Sequence, residues 1–249
     1  MSSIAIRPAI DAALHVAVTI DSVFATIDAW RAALEDELAG IADLRVDALD
    51  PLVAAFSLPA VSAATLLTGA GFVATPGAVD DAEWHIAWWL RDAEGSTPRR
   101  LATIDDPAHE LFRDYTTQEW WRVPAATGSR HLTGPYVDYV CTDDYTVTVT
   151  TPVVVANRML GVVGADALVD RLERELLPAL RDTAQPATVV NASGRVVTSS
   201  NAHREPGSML RLDGLTSALH EASATPVTLV GGASVLACGT TSLWLVVEG

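Results

Sequence analysis

From Pro8 to Leu38 the apolar residues Ile10, Ala13, Ala17, Ile20, Phe24, Ile27, Leu34 and Leu38 recur at spacings of three and four, with acids and Arg31 between them. That spacing puts one apolar stripe along a helix of about eight turns. Pro8 suits the first turn and Gly40 the end, so both boundary signals agree with the periodicity. A second helical stretch is predicted over Leu49 to Leu67, broken at Pro59.

After Gly69 the texture changes to short runs rich in Val, Trp, Tyr and Thr, separated by Gly, Pro, Asp and Asn. Phe72 to Thr75 and Trp84 to Arg91 read as strands. The clearest sheet signal is a meander of Tyr136 to Cys141, Tyr145 to Val155 and Met159 to Ala165, joined by the turns Thr142-Asp143-Asp144 and Ala156-Asn157-Arg158. Helical spacing returns from Ala167 to Leu180, where Leu168, Leu172, Leu176 and Leu180 share a face and Pro186 follows. Beyond Gln185-Pro186-Ala187 come a hairpin around Asn191-Ala192-Ser193-Gly194, a short helix over Leu212 to Ala222 and three closing strands: Val227 to Val230, Val235 to Cys238 and Leu243 to Val247. The reading is α+β, a long N-terminal helix followed by two antiparallel-sheet lobes. The divisions fall at 1–67 for the helical segment, 68–184 for the larger lobe with its connecting helix, and 185–249 for the smaller lobe.

With 249 residues and a mean hydropathy of +0.26 the chain can bury a substantial core. Its formal charge of -15 repels phosphate backbones and anionic headgroups, so nucleic acid and membrane surfaces are poor partners. The start MSSIAIRPAIDAALHVAV lacks the pattern of a signal peptide. The apolar stretch from Leu52 to Leu67 is interrupted by Ser57, Pro59, Ser62 and Thr65, too polar for a bilayer span. A cytoplasmic protein without a spanning helix is expected. Cys141 and Cys238 stand far apart with no metal or disulfide spacing, and read as reduced thiols.

Signatures of catalysis are missing. There is no GxSxG, GxxxxGK[ST] or HExxH, and His15, His85, His109, His131, His203 and His220 show no ligand spacing, so neither metal nor cofactor is expected. Gly69-Ala70-Gly71-Phe72-Val73-Ala74 has the spacing of a dinucleotide loop, but the preceding residues read as helical and Thr75-Pro76-Gly77 follows; a helix-to-strand turn is expected there. Asp105-Asp106 and Asp143-Asp144 sit among turn-forming residues, where aspartate bonds locally.

Aromatic residues carry the functional signal. Trp84, Trp88, Trp89, Trp120 and Trp121 crowd one window together with Tyr115, and Tyr136, Tyr139 and Tyr145 follow. Aromatic faces attract a cationic amine, and a buried carboxylate supplies the counter-charge they lack. Asp166, closing the strand Gly161-Val162-Val163-Gly164-Ala165, is the candidate carboxylate. It serves either as the N-cap of the helix that follows or as a ligand contact, and one aspartate can do both.

Residues 115 to 198 resemble the double Cache (PAS-like) sensor domains of bacterial chemoreceptors and histidine kinases. The resemblance rests on Trp120-Trp121, Thr133-Gly134-Pro135-Tyr136-Val137-Asp138, Tyr145-Thr146-Val147-Thr148 with Thr151-Pro152-Val153, Leu160-Gly161-Val162-Val163-Gly164-Ala165-Asp166, and Val190-Asn191-Ala192-Ser193-Gly194-Arg195-Val196-Val197. It implies two PAS-like lobes and a ligand pocket in the first. Trp120, Tyr136 and Asp166 match the motif of amino-acid-binding members, whereas Trp121 replaces a tyrosine, Gln118 stands where an arginine pairs with the ligand carboxylate, and Tyr115 is displaced by two positions. Keeping the aspartate and losing the arginine favours an amine without a carboxylate. The expected contacts are Tyr115, Gln118, Trp120, Trp121, Tyr136, Asp138, Asp166 and Trp88. A sensor of this kind would pass its state to a separate regulator or transporter. The alternatives are an amino-acid sensor with Arg113 or Arg122 in the missing role, an enzyme using Asp166 or His131 as a base, and a module that forms homodimers through the first helix.

Overall fold

The computed structural model describes residues 3–62, 66–91, 97–138, 145–221 and 225–249. The first helix, α1, spans Ser3–Leu38. Its stripe is buried as the periodicity requires: Val16, Ile20, Phe24, Ile27, Leu34 and Leu38 are all close to fully covered. Ile10 departs from the expected stripe. With Leu14 and Val18 it forms a second apolar line, 47–60% exposed. Apolar residues on two faces make Arg7–Leu38 long and apolar enough to cross a membrane by length and composition, which corrects the expectation that no helix of the chain is. Counting uninterrupted apolar runs misses this helix, because isolated charges break every run while the average stays high.

Helix α2 (Val46–Ser62) is continuous through Pro59, against the expected break. A proline so near the C-terminal end removes only the bond to the carbonyl four residues back, in a turn about to end. Residues 63–65, through which the helix was expected to continue, lie outside the described residues.

Six strands form the larger sheet: β1 (Leu67–Ala74), β2 (Ile86–Leu90), β3 (Arg99–Arg100), β4 (His131–Val137), β5 (Tyr145–Val155) and β6 (Arg158–Leu168), in the order β3-β2-β1-β6-β5-β4. The second and third strands of the expected meander are β5 and β6, whereas its first, expected over Tyr136 to Cys141, lies earlier, as β4 at His131–Val137; residues 139–144, with Cys141 and Asp143-Asp144, lie outside the described residues. The β5–β6 hairpin turns through Ala156 and Asn157, both left-handed with φ of 49° and 63°, as a tight two-residue turn between twisted strands demands.

The glycines once weighed as a nucleotide loop are neither loop nor turn. Gly69 and Gly71 lie inside β1, every residue of which is buried. A Cβ on Gly71 would strike the carbonyl of Ala87 and the Cα of Trp88, and one on Gly161 the carbonyl of Val73 and the ring of Phe72. These glycines exist for close approach of neighbouring chain. Helix α3 (Glu119–Thr127) is tied to β5 by the Thr150 hydroxyl, which donates to the carbonyl of Trp120 at 2.7 Å.

After β6, helix α4 (Val169–Arg181) buries Leu172, Leu176 and Leu180 and packs on two strands of the smaller sheet, β7 (Ala187–Asn191) and β8 (Val196–Ser199). Helix α5 (Leu215–His220) is shorter than the expected Leu212 to Ala222. Strands β9 (Val227–Thr228), β10 (Ser234–Ala237) and β11 (Leu243–Val247) complete the order β8-β7-β11-β10-β9. The core here is apolar, built on Val190, Val196, Leu215, Leu219, Val235 and Val246.

By internal packing the chain forms two compact units. One holds Phe24–Thr133 and Val137–Leu168, hence the larger sheet with α2 and α3; the other holds the chain up to Val23, Gly134–Tyr136 and Val169–Gly249. The sequence division at 185 keeps α4 with the larger lobe, whereas its buried leucines group it with the smaller sheet.

Because the space over Gly71 is already filled by chain, Gly71→Ala is expected to destabilise the larger unit by about 1–3 kcal/mol. Urea unfolding of the variant against the unmodified protein measures this, and an unchanged midpoint would contradict the packing described.

Candidate functional site

Strand register assembles the site. Gly69 is paired on one side with Leu90 and on the other with Asp166, and Asp166 in turn with Thr148. The next row on the same face is Trp88, Gly71, Gly164 and Thr150. Directly opposed residues of paired strands send their side chains to the same side. One face of the sheet therefore carries an aspartate, two threonines and an indole around three glycines.

Asp166 lies within β6, three residues before α4 begins, so the N-cap reading is corrected: its carboxyl is spent across the sheet and not on a helix end. The Thr148 hydroxyl donates to its Oδ1 at 2.6 Å. The carboxyl is buried, and burial pushes its pKa from 3.8 up to about 7; the neighbouring Asp138 raises it further, while Thr148 and Trp88 pull it back. Burial disfavours the anion, and a second acid nearby disfavours it again. Asp138, itself 2% exposed, follows β4.

Trp88 lies along the glycines. A Cβ on Gly71 would meet its ring Cε3 at 2.8 Å and one on Gly69 its Nε1 at 2.7 Å, the same distance as to Asp166 Oδ2. The indole N–H thus converges with the carboxylate above Gly69, and its hydrogen bond to that carboxylate offsets part of the rise in pKa.

The other aromatic residues cluster on Tyr115. Its ring meets Trp84 at 5.2 Å and Trp121 at 5.4 Å edge-on, lies near-parallel to Trp120 at 6.5 Å, and its hydroxyl donates to the Ala74 carbonyl at 2.7 Å. Burial raises its pKa out of the range where it would ionise, so Tyr115 acts as a neutral structural donor. Trp84 and Phe112 continue the cluster to an open cleft of about 190 Å³, also lined by Ile86, Ile104 and Arg113. Tyr136, half-buried on β4, belongs to the other unit.

Gln118, at the missing arginine's position, and Arg113, considered for its role, each have local partners. Gln118 precedes α3 and its amide reaches only Thr117 Oγ1 at 3.5 Å. Arg113 bonds the carbonyls of Glu110 and Phe112. Arg91, buried at the end of β2, turns to the Ser62 carbonyl at the C-terminus of α2, where a cation offsets the helix dipole. His131, weighed as a base, pairs with Glu119 at 2.9 Å on an exposed edge. Among the described residues no group of acids, histidines and cysteines is arranged to hold a metal. The sequence reading missed Gly69 and Thr148; a Gly-x-Gly inside a strand facing the Asp166 strand is the signal that could have found them.

The order of one long N-terminal helix followed by two antiparallel sheets is that of the double Cache (PAS-like) fold. Residues 90–174 match the family model of the methyl-accepting chemotaxis protein-like first PDC sensor domain. No curated protein sequence matches the chain. Among solved structures, Methyl-accepting Chemotaxis protein X is 19% identical with a TM-score of 0.71, over 97% of this chain and 94% of that one. The sensory domain of the Campylobacter jejuni chemoreceptor Tlp3 (CcmL) with isoleucine bound is 13% identical, TM-score 0.56, over 95% and 89%. The extracellular domain of soHK1S-Z6, assigned as a histidine kinase, is 18% identical, TM-score 0.61, over 95% and 90%. With neighbours of this kind and an α1 apolar enough to span, the expected cytoplasmic location has no support.

Since folded Asp166 holds its proton more tightly than the unfolded chain, its contribution to stability is full below about pH 4 and is lost as pH rises through about 7. Asp166→Asn cannot ionise. Its stability relative to the unmodified protein is expected to improve between about pH 5 and pH 8. Urea unfolding at both pH values tests this; a trend in the opposite direction would mean that the carboxylate is stabilised as an anion.

Proposed function

We propose that the chain is a sensor domain whose larger lobe binds a small organic amine, its ammonium group held by Asp166 with Asp138 beside it. The observation that carries this reading is the pair of buried acids. A buried carboxyl whose ionisation is opposed by burial and by a second buried acid gains most from a positively charged guest. Trp88 walls the carboxylate, and Trp120 and Trp121 are carried on α3, which packs against the same sheet. Signalling would then pass to a separate regulator or transporter. The exposed line of Ile10, Leu14 and Val18 supports self-association through α1 as the accompanying quaternary arrangement.

An amino-acid ligand is the second reading, favoured by the isoleucine and L-valine complexes of Tlp3. It needs a cation for the ligand carboxylate; Gln118 stands at the position that would supply it, and Arg113 is bonded to the carbonyls of Glu110 and Phe112.

A ligand that binds only the folded protein raises its melting temperature by mass action. Amines are expected to stabilise the protein and simple carboxylates to leave it unchanged, and Asp166→Asn should abolish the response. Stabilisation by carboxylates alone would refute the reading. Because a cation requires the ionised carboxyl, amine affinity should rise with pH up to about 7 and then level, by nearly tenfold per unit at the acid end. Titration calorimetry in two buffers of different ionisation enthalpy would detect the proton released.

A further inference from the structure

The aromatic cluster around Tyr115 ends in a cleft that the Asp166 site does not use. Trp84 and Ile86 line it from the start of β2, and Ile104, Leu111, Phe112 and Arg113 from the chain between β3 and Tyr115. It is well separated from Asp166. Ile86 pairs with Val73 and Val73 with Val162, four residues back along β6, which is roughly 13 Å at the rise of a strand.

The walls are apolar and open. Trp84 and Phe112 meet edge to face at 4.9 Å, and Ile104 and Leu111 are 41% and 58% exposed. Apolar residues around one concave spot gain burial from a guest that covers them. The cation in the cleft is Arg113. Its Nη1 donates to the carbonyls of Phe112 at 3.1 Å and Glu110 at 3.4 Å, which anchors the guanidinium to its own loop. Nε and Nη2, the edge that grips a planar carboxylate with two parallel hydrogen bonds, have no partner among the described residues. We infer that this cleft is a second ligand site, for a small apolar monocarboxylate whose carboxylate pairs with that edge of Arg113 and whose hydrocarbon body lies against Trp84, Phe112, Ile104 and Leu111. At about 190 Å³ it is smaller than pockets for drug-sized ligands, which limits the body to one ring or a short branched chain. Asp105 lines the same cleft and repels a second negative charge.

Calorimetric titration of the full chain with benzoate, benzyl alcohol, acetate and terephthalate tests this. Benzoate should bind roughly ten- to a hundredfold more tightly than benzyl alcohol, the value of hydrogen bonds to a charged group. Acetate, without a body to cover the walls, should bind about tenfold more weakly than benzoate or worse, and terephthalate, with a second charge, also more weakly. Arg113→Gln should reduce benzoate affinity to that of the alcohol, and Arg113→Lys, which keeps the charge and loses the fork, should recover only part of it. Arg113 is exposed, so neither substitution touches the core. Equal binding of benzoate and benzyl alcohol, no binding of benzoate, or a benzoate affinity unchanged in Arg113→Gln would overturn the inference. Terephthalate or acetate bound as tightly as benzoate would do the same. None of these results bears on amine binding at Asp166, where the guest has the opposite charge.

Discussion

The larger sheet is organised around a carboxyl group that it buries without a cation. Taking a charge out of water costs several kcal/mol unless it is paired or protonated, and Asp166 meets that cost by holding its proton to about pH 7 and by accepting from Thr148. What surrounds it follows. Gly69 opposite has no side chain because Asp166 and Trp88 already converge on that point, and Gly71 is bare because the Ala87 carbonyl and Trp88 close over it.

Register is what keeps this arrangement in place. A slip of one residue in β6 would carry Asp166 to the opposite face, the side on which Arg91 meets the end of α2. The left-handed turn at Ala156-Asn157 and the one-residue register shift between Val153 and Val154 together set the count between β5 and β6, so Thr148 falls opposite Asp166 and Thr150 opposite Gly164. An irregularity in the ladder thereby decides which hydroxyl meets the carboxyl.

The tryptophans divide into two roles that composition cannot separate. Trp120, Trp121 and Trp84 gather on the neutral, buried Tyr115 and hold α3 and the chain before it to the sheet. Trp88 instead lies over glycine with its N–H beside an acid. The first role is packing; the second brings the aromatic signal to the candidate ligand group.

The sequence by itself determined the long helix, the meander, the leucine face of α4 and the α+β class, since each is a local periodicity or turn preference that tertiary contacts reinforced. Asp166 was legible for the same reason, an acid ending an apolar strand. Tertiary structure decided the rest. The span of α2 through Pro59, and the presence of Gly69 and Gly71 inside a strand, depended on what packs against them, because glycine and proline propensities describe an isolated chain. Thr148, Trp88 and Gly69 are separated from Asp166 by between 18 and 97 residues of sequence. Only the pairing of β2, β1, β6 and β5 brings them to one face, and no local pattern encodes which strands will be neighbours.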